Sequence, residues 1–391
     1  MKLSTAILFL IFTYCLFGQR NQAITHLMDT YAQHNRLSGV ALVQQDNAII
    51  FAEAYGCANY ENSTLNEVPT IFNIGSISKQ FTAAAILHLV QEGKIDLSLS
   101  INSYLGKYSA KHWKKISVHH LLSHTSGIPS LLQSGQGLDD VFPEERAVSL
   151  AELIGYFRDL KLISKSGKKY NYNNSGYVLL AAIIEEISGQ SYGDFMKGLF
   201  EQYGLESTSH GINENQDLAF PYYGYTESQR KLAPKYHPSW FIGAGSIYSS
   251  ITDLAKWNQT IHSDTFLNAD LRKRYFQKHE ESDNGRYYAY GWEIMEREDK
   301  TCIHHDGTTF GYTCDLLYEP TTKILSIILT NQTHESLYEL GKSEAFVRAT
   351  NLELMQIMQG KNVETLPVLS NHPPNIQEGV YTFTGNYQLE I

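Results

Sequence analysis

Between residues 38 and 59 the chain reads SGVALVQQDNAIIFAEAYGCAN, with β-branched and small residues alternating on either side of Asp46-Asn47. A period of two around an Asp-Asn pair predicts a hairpin. A second alternating block, CIHHDGTTFGYTCDLLYEPTTKILSIILTNQ, fills residues 302–332. It predicts three strands with turns at Gly307, Gly311 and Glu319-Pro320. Between the blocks the spacing changes. QFTAAAILHLVQEG, SLAELIGYFRDL, YVLLAAIIEEISG and SSITDLAKWNQTI all carry apolar residues at helical intervals. A short amphipathic helix is expected from Ile24 to Ala32, and a helical segment from about Leu337 to Met358. The pattern predicts an α+β fold, with one antiparallel sheet built from both termini and flanked by helices. A mainly helical subdomain is inserted. The expected domain covers residues 20–360, with sheet parts at about 24–72 and 285–360 and the helical subdomain at about 73–284.

The ends differ from this body. MKLSTAILFLIFTYCLFGQR places Lys2 before an apolar run from Ala6 to Phe17, then turns polar. That layout predicts a signal peptide over residues 1–19, with an uncleaved anchor as the alternative. Bulky Tyr14 before Cys15 argues against lipoprotein processing. The mature chain is therefore expected to be exported, periplasmic or secreted, with no stable membrane span after cleavage. Residues 361–391 read as a Pro-rich linker closing on one strand-like run, which has no partner of its own.

Composition excludes little. The 391 residues are 42% apolar and 18% charged, enough to bury a sizeable core. A net charge of −10 with no basic stripe argues against nucleic acid as a partner. After signal removal three cysteines remain, an odd number, so at least one thiol is unpaired. Cys302 and Cys314 flank a hairpin and are either a disulfide or two buried thiols.

The chemistry begins at NIGSISKQFTAAAILHLV, where Ser76 precedes Lys79 by three residues. A serine hydroxyl is a weak nucleophile until a base takes its proton. On one helical face the Lys79 amine reaches that hydroxyl, provided burial keeps the amine neutral. A helix N-terminus also offers free N–H groups to a developing oxyanion. The same spacing recurs at Ser166/Lys169 and Ser228/Lys231, but in polar, loop-like sequence. Downstream, YNYNNSGYVLLAAIIEEISG sets Tyr172 and Asn174 ahead of a buried helix, though Tyr60-Glu61-Asn62 is a second literal match. Tyrosine relays protons and an Asn amide orients an amine or a carbonyl. His305-Asp306-Gly307 then opens a strand-turn segment whose next N–H, that of Thr308, is a candidate oxyanion donor. Bland readings hold elsewhere. His120 and His124 stand four apart on an expected helix but lack a third metal ligand. His304 faces away from His305, Asp253 begins a helix, and Tyr290 and Trp292 pack the core or border the cleft.

Together these segments resemble the serine hydrolases related to class C β-lactamases, D-alanyl-D-alanine carboxypeptidases and their esterase relatives. FNIGSISKQFTAAAILHLVQEGKIDL, ISVHHLLSHTSGIP, YNYNNSGYVLLAAIIEEISG, GAGSIYSSITDLAKW, YGWEI and HDGTTFGY carry the resemblance in order, from about residue 38 to residue 332. It implies Ser76 as acylated nucleophile, Lys79 as proton acceptor and Tyr172 as partner base, with either of the two taking the proton first. It implies Asn174 as a positioning residue, His305 at the third motif, and an oxyanion hole from the Ser76 and Thr308 N–H groups beside Gly307. It implies an amide or ester substrate, a small molecule or peptide, and no metal or organic cofactor. The β-lactamases carry Lys-Thr-Gly where this chain has His305-Asp306-Gly307. A mostly neutral histidine favours carboxypeptidase or esterase chemistry over efficient β-lactam hydrolysis. The Lys165-Ser166-Gly167 triplet precedes the Tyr172 motif and so has the wrong order. The alternative is a penicillin-binding or scaffolding relative with little turnover.

Overall fold

The computed structural model describes residues 2–131, 146–213, 216–282, 285–297, 300–333, 337–361, 363, 380–383 and 387–390. Its main sheet has eight strands: β1 (Gly39–Gln45), β2 (Ala48–Tyr55), β3 (Glu280–Glu281), β4 (Tyr287–Tyr288), β5 (Glu293–Arg297), β6 (Lys300–Thr309), β7 (Tyr312–Glu319) and β8 (Ile324–Thr330). The spatial order is β3-β4-β5-β6-β7-β8-β1-β2, antiparallel throughout. The two ends of the chain join at β8 and β1, with Gly39 opposite Thr330 and Gln45 opposite Ile324. Asp46 and Asn47 both take left-handed φ values, 49° and 66°, as a tight turn between right-twisted strands requires.

The helices are α1 (Lys2–Gln33), α2 (Ser78–Gln91), α3 (Val118–Leu122), α4 (Leu150–Arg158), α5 (Asn174–Ser188), α6 (Tyr192–Tyr203), α7 (Ile251–Ile261), α8 (Ala269–Tyr275) and α9 (Leu337–Met358). Strand alternation sends β1 into two cores. Ala41 and Val43 pack with Ile24, Leu27 and Leu354 of α1 and α9, and Val40 and Leu42 join the core that contains α2 and α5. The expected helix at 24–32 is the end of the longer α1, whose Ile24, Leu27, Met28 and Tyr31 form one buried stripe. Among the described residues no helix is long and apolar enough to cross a membrane. The α+β architecture, an antiparallel sheet from both ends with helices between, is as the sequence predicts.

Two details are corrected and one open alternative, that of the cysteines, is decided. Gly307 lies inside β6 rather than at a turn, because its missing side chain is needed for a close backbone approach rather than for a bend. Cys57, Cys302 and Cys314 are free thiols, Cys302 opposite Met295 and Cys314 opposite Gly307. The terminal run is two short strands, Val380–Phe383 and Tyr387–Glu390, which pair with each other. Of the expected linker and tail at 361–391, residues 364–379 lie outside the described residues.

Candidate active site

Ser76 sits in a single 3-10 turn, Gly75–Ile77, that runs directly into α2. From Ile71 to Leu87 every residue except Ser76 is buried. The segment 71–73 is held as a short strand against residues 247–250, and Asn73 Oδ1 accepts the Gly75 N–H at 2.9 Å. Gly75 has φ +51°, and a Cβ there would lie 2.6 Å from the Thr308 nitrogen. A Cβ on Gly307 would lie 2.1 Å from the Ile74 carbonyl oxygen and 3.0 Å from the Ser76 nitrogen. Two absent side chains thus let β6 run against the serine turn, bringing the Thr308 and Ser76 N–H groups side by side.

Lys79 Nζ lies 2.9 Å from Ser76 Oγ and 2.8 Å from the Ala244 carbonyl oxygen. The lysine is completely buried. Its Nζ stands 4.8 Å from the centre of the Tyr172 ring and 5.6 Å from that of Tyr177. Burial holds the amine well below its ordinary value, with the Asp306 carboxylate opposing only in part. Nζ donates to the Ala244 carbonyl and to Ser76 Oγ, and loss of one proton from the amine would leave a lone pair beside that hydroxyl. Tyr172 is also in hydrogen-bonding reach of Ser76, but burial outweighs that contact and raises the phenol well above its ordinary value. Burial thus works against the phenolate that a neighbouring cation would favour.

The other expected residues gather here unequally. His305 is buried beside Tyr172, with ring centres 6.3 Å apart. Its Nδ1–H donates to the Asp306 carbonyl at 2.6 Å, and its Nε2 lies 3.3 Å from the Tyr288 hydroxyl. Burial keeps it below its ordinary value, against the pull of Asp306 and Glu293. Asn174 is the first residue of α5, and its Oδ1 is buried with no hydrogen-bond partner. The capping of that helix falls to Asn173, whose side chain accepts the Gly176 N–H. Asp253 helps to open α7 and accepts from Ser207 and Thr208.

The Beta-lactamase family model matches residues 20–346. The chain belongs to the Beta-lactamase family. Penicillin-binding protein 4* of Bacillus subtilis (strain 168) is 24% identical over 342 residues, covering 80% of this chain and 72% of that protein. Among solved structures, the octameric penicillin-binding protein homologue from Pyrococcus abyssi superposes with a TM-score of 0.73 at 26% identity, covering 88% of this chain and 78% of that one. D-amino acid amidase from Ochrobactrum anthropi SV3 shares the fold with a TM-score of 0.72 at 20% identity, covering 88% and 99%.

Some groups in this family member escape sequence reading. The Ala244 carbonyl is 165 positions from the lysine it meets, although it lies in the GAGSIYSSITDLAKW segment. Tyr288 has no local signal beyond a tyrosine-rich run. The expected pair of helical histidines dissolves, because α3 ends at Leu122 and His124 adopts a left-handed φ of 57°. His120 instead closes the cap of α3, its Nδ1 accepting the Ser117 N–H at 3.1 Å. Ser166 donates to the Lys115 carbonyl, and Ser228 meets the Thr226 hydroxyl.

Proposed function

We propose that the protein is an exported serine hydrolase that forms an acyl-enzyme at Ser76 on amide or ester bonds. The observation that carries this reading is the 2.9 Å approach of a fully buried Lys79 amine to Ser76 Oγ. Neutral Lys79 takes the hydroxyl proton as Oγ bonds to the carbonyl carbon. The oxyanion is met by the Ser76 and Thr308 N–H groups, and losing one such donor typically costs about 10²–10³ in rate. Collapse breaks the amide or ester bond, and the leaving group takes a proton from Tyr172, which Lys79 replenishes. Water then reverses the sequence and frees the acid. Asn174, with an unpaired Oδ1, is available to a donor on the substrate.

A 610 Å³ cavity is lined by Asn73, Gly245 and Thr309, which in the chain lie three residues before Ser76, next to Ala244 and next to Thr308. Phe220, Tyr236, Phe241, Tyr248 and Phe310 line it, which supports a substrate carrying an apolar or aromatic group. Neutral His305 in place of a lysine supports a peptide or carboxylic ester over a β-lactam. Export rests on the pattern of residues 1–19. A fluorophosphonate probe is expected to label Ser76, and Ser76→Ala to abolish labelling; labelling that persists in the mutant refutes the nucleophile. The name penicillin-binding protein among the relatives supports a second reading, slow or absent deacylation. Turnover of a nitrophenyl ester, nitrocefin and a D-Ala-D-Ala peptide separates the two, since a burst without turnover on all three favours the second.

A further inference from the structure

His124 is a buried group beside this machinery that the steps above leave unused. Its ring centre lies 4.4 Å from that of Tyr172, 4.5 Å from Tyr288 and 5.2 Å from Tyr177. Two hydrogen bonds tie it to the backbone on either side of Tyr172. The His124 carbonyl accepts the Asn171 N–H at 2.8 Å, and its Nδ1 accepts the Asn173 N–H at 3.1 Å. The first bond depends on the left-handed φ of 57° that turns the chain out of α3. His and Asn are among the few side chains that occupy this region readily.

The second bond fixes the ring chemistry. A nitrogen that accepts an N–H has its lone pair free, so the imidazole is neutral and its proton sits on Nε2. Burial and the nearby Lys79 favour the same state. Nε2 is itself buried and has no hydrogen-bond partner. An orphaned polar atom in the centre of an aromatic cluster is costly to keep if packing were the ring's only task.

We propose that His124 is a positioning residue, which clamps the main chain at Asn171 and Asn173 so that the Tyr172 hydroxyl is held on Ser76. This rests on the serine hydrolase reading. The clamp separates from simple packing because the two roles rank substitutions in opposite order. His124→Phe keeps the ring and removes the acceptor. His124→Asn loses the ring but keeps an acceptor near the Nδ1 position and tolerates the left-handed backbone.

The test measures steady-state turnover of a nitrophenyl ester together with the rate of fluorophosphonate labelling at Ser76. His124→Phe is expected to lower kcat by about 10²-fold, the scale of an ångström misplacement, with KM little changed, and His124→Asn to restore most of it. If His124→Phe does not fold, the same ranking is read from His124→Asn against His124→Gln, whose longer side chain cannot present its oxygen at the Nδ1 position. Wild-type activity in His124→Phe, or in His124→Gln where that pair is used, overturns the proposal, as does an Asn variant no better than its comparator. A wild-type chain that takes no probe at Ser76 overturns the hydrolase reading and this inference with it, so the two failures are distinguishable.

Discussion

His304 and His305 are consecutive residues of β6, exposed by 0% and 1%, yet they hold different charge states. His304 Nε2 lies 2.6 Å from the Asp315 carboxylate and its Nδ1 3.4 Å from that of Glu293. Burial opposes a charge there, but the two carboxylates override it and push the imidazole up to about 9. On the same face Asp306 pairs with Arg348 of α9, and Asn351 donates to Asp315 at 2.6 Å. One residue on, His305 turns to the opposite face beside Tyr172, meets a carbonyl and a phenol, and is held below its ordinary value by burial. A single strand therefore divides an ionised, closed layer from a neutral, reactive one. In the proposed mechanism Lys79 acts as a base because it lies on the neutral side of that divide.

The largest expected effect comes from breaking the neutral side. Lys79→Met suits the apolar surroundings but removes the base, so Ser76 acylation should slow by about 10²–10⁴-fold. The rate of fluorophosphonate labelling measures this, and a wild-type rate would remove Lys79 from the mechanism. Breaking the ionised side should cost stability instead. His304→Leu leaves Asp315 without its imidazolium while Glu293 keeps Arg286 at 2.6 Å, a loss of about 3–5 kcal/mol. Urea denaturation reads it, and an unshifted midpoint would mean the cluster does not depend on the imidazolium.

The pH dependence sharpens the same contrast. The folded value of His304 is raised from 6.5 to about 9, so its contribution is fully present below about pH 6.5. It is lost as pH rises through 9, amounting to about 3 kcal/mol from the size of the shift. Melting temperature should therefore fall between pH 7 and 10 in the wild type and fall less in His304→Leu. Parallel profiles would contradict the assignment of charge.

How much of this was legible follows from what each feature depends on. The Asp46-Asn47 turn and the buried stripe of α1 depend on residues close together in the chain, and local patterns report them. Ser-x-x-K occurs three times, and neighbours in sequence rank the copies but do not place them. What distinguishes Ser76 is that it alone stays accessible between Ile71 and Leu87, which depends on β6 approaching from more than 200 residues away. Gly307 read as a turn because a glycine in sequence shows conformational freedom, not the backbone that it makes room for. The charge of His304 was invisible for the same reason, since Glu293, Asp315 and the Arg348 pair behind them belong to three other elements.

The smallest expected effect is a change of preference rather than of rate or stability. His305→Lys places a permanent cation beside Tyr172, on the strand position where β-lactamases of the resembling group carry lysine. Glu293 and Asp306 already act on this position, so an ammonium there finds negative charge within reach. It also lies near Lys79, whose amine is pushed further toward neutrality by a second cation, leaving the base competent. A substrate carboxylate then gains a charge-assisted contact that neutral histidine does not supply. The ratio of kcat/KM for nitrocefin to that for a neutral nitrophenyl ester should rise about tenfold, the equivalent of about 1.4 kcal/mol. An unchanged ratio would show that substrate choice is set in the aromatic cavity beyond Thr309, and not by the residue that separates this chain from the β-lactamases.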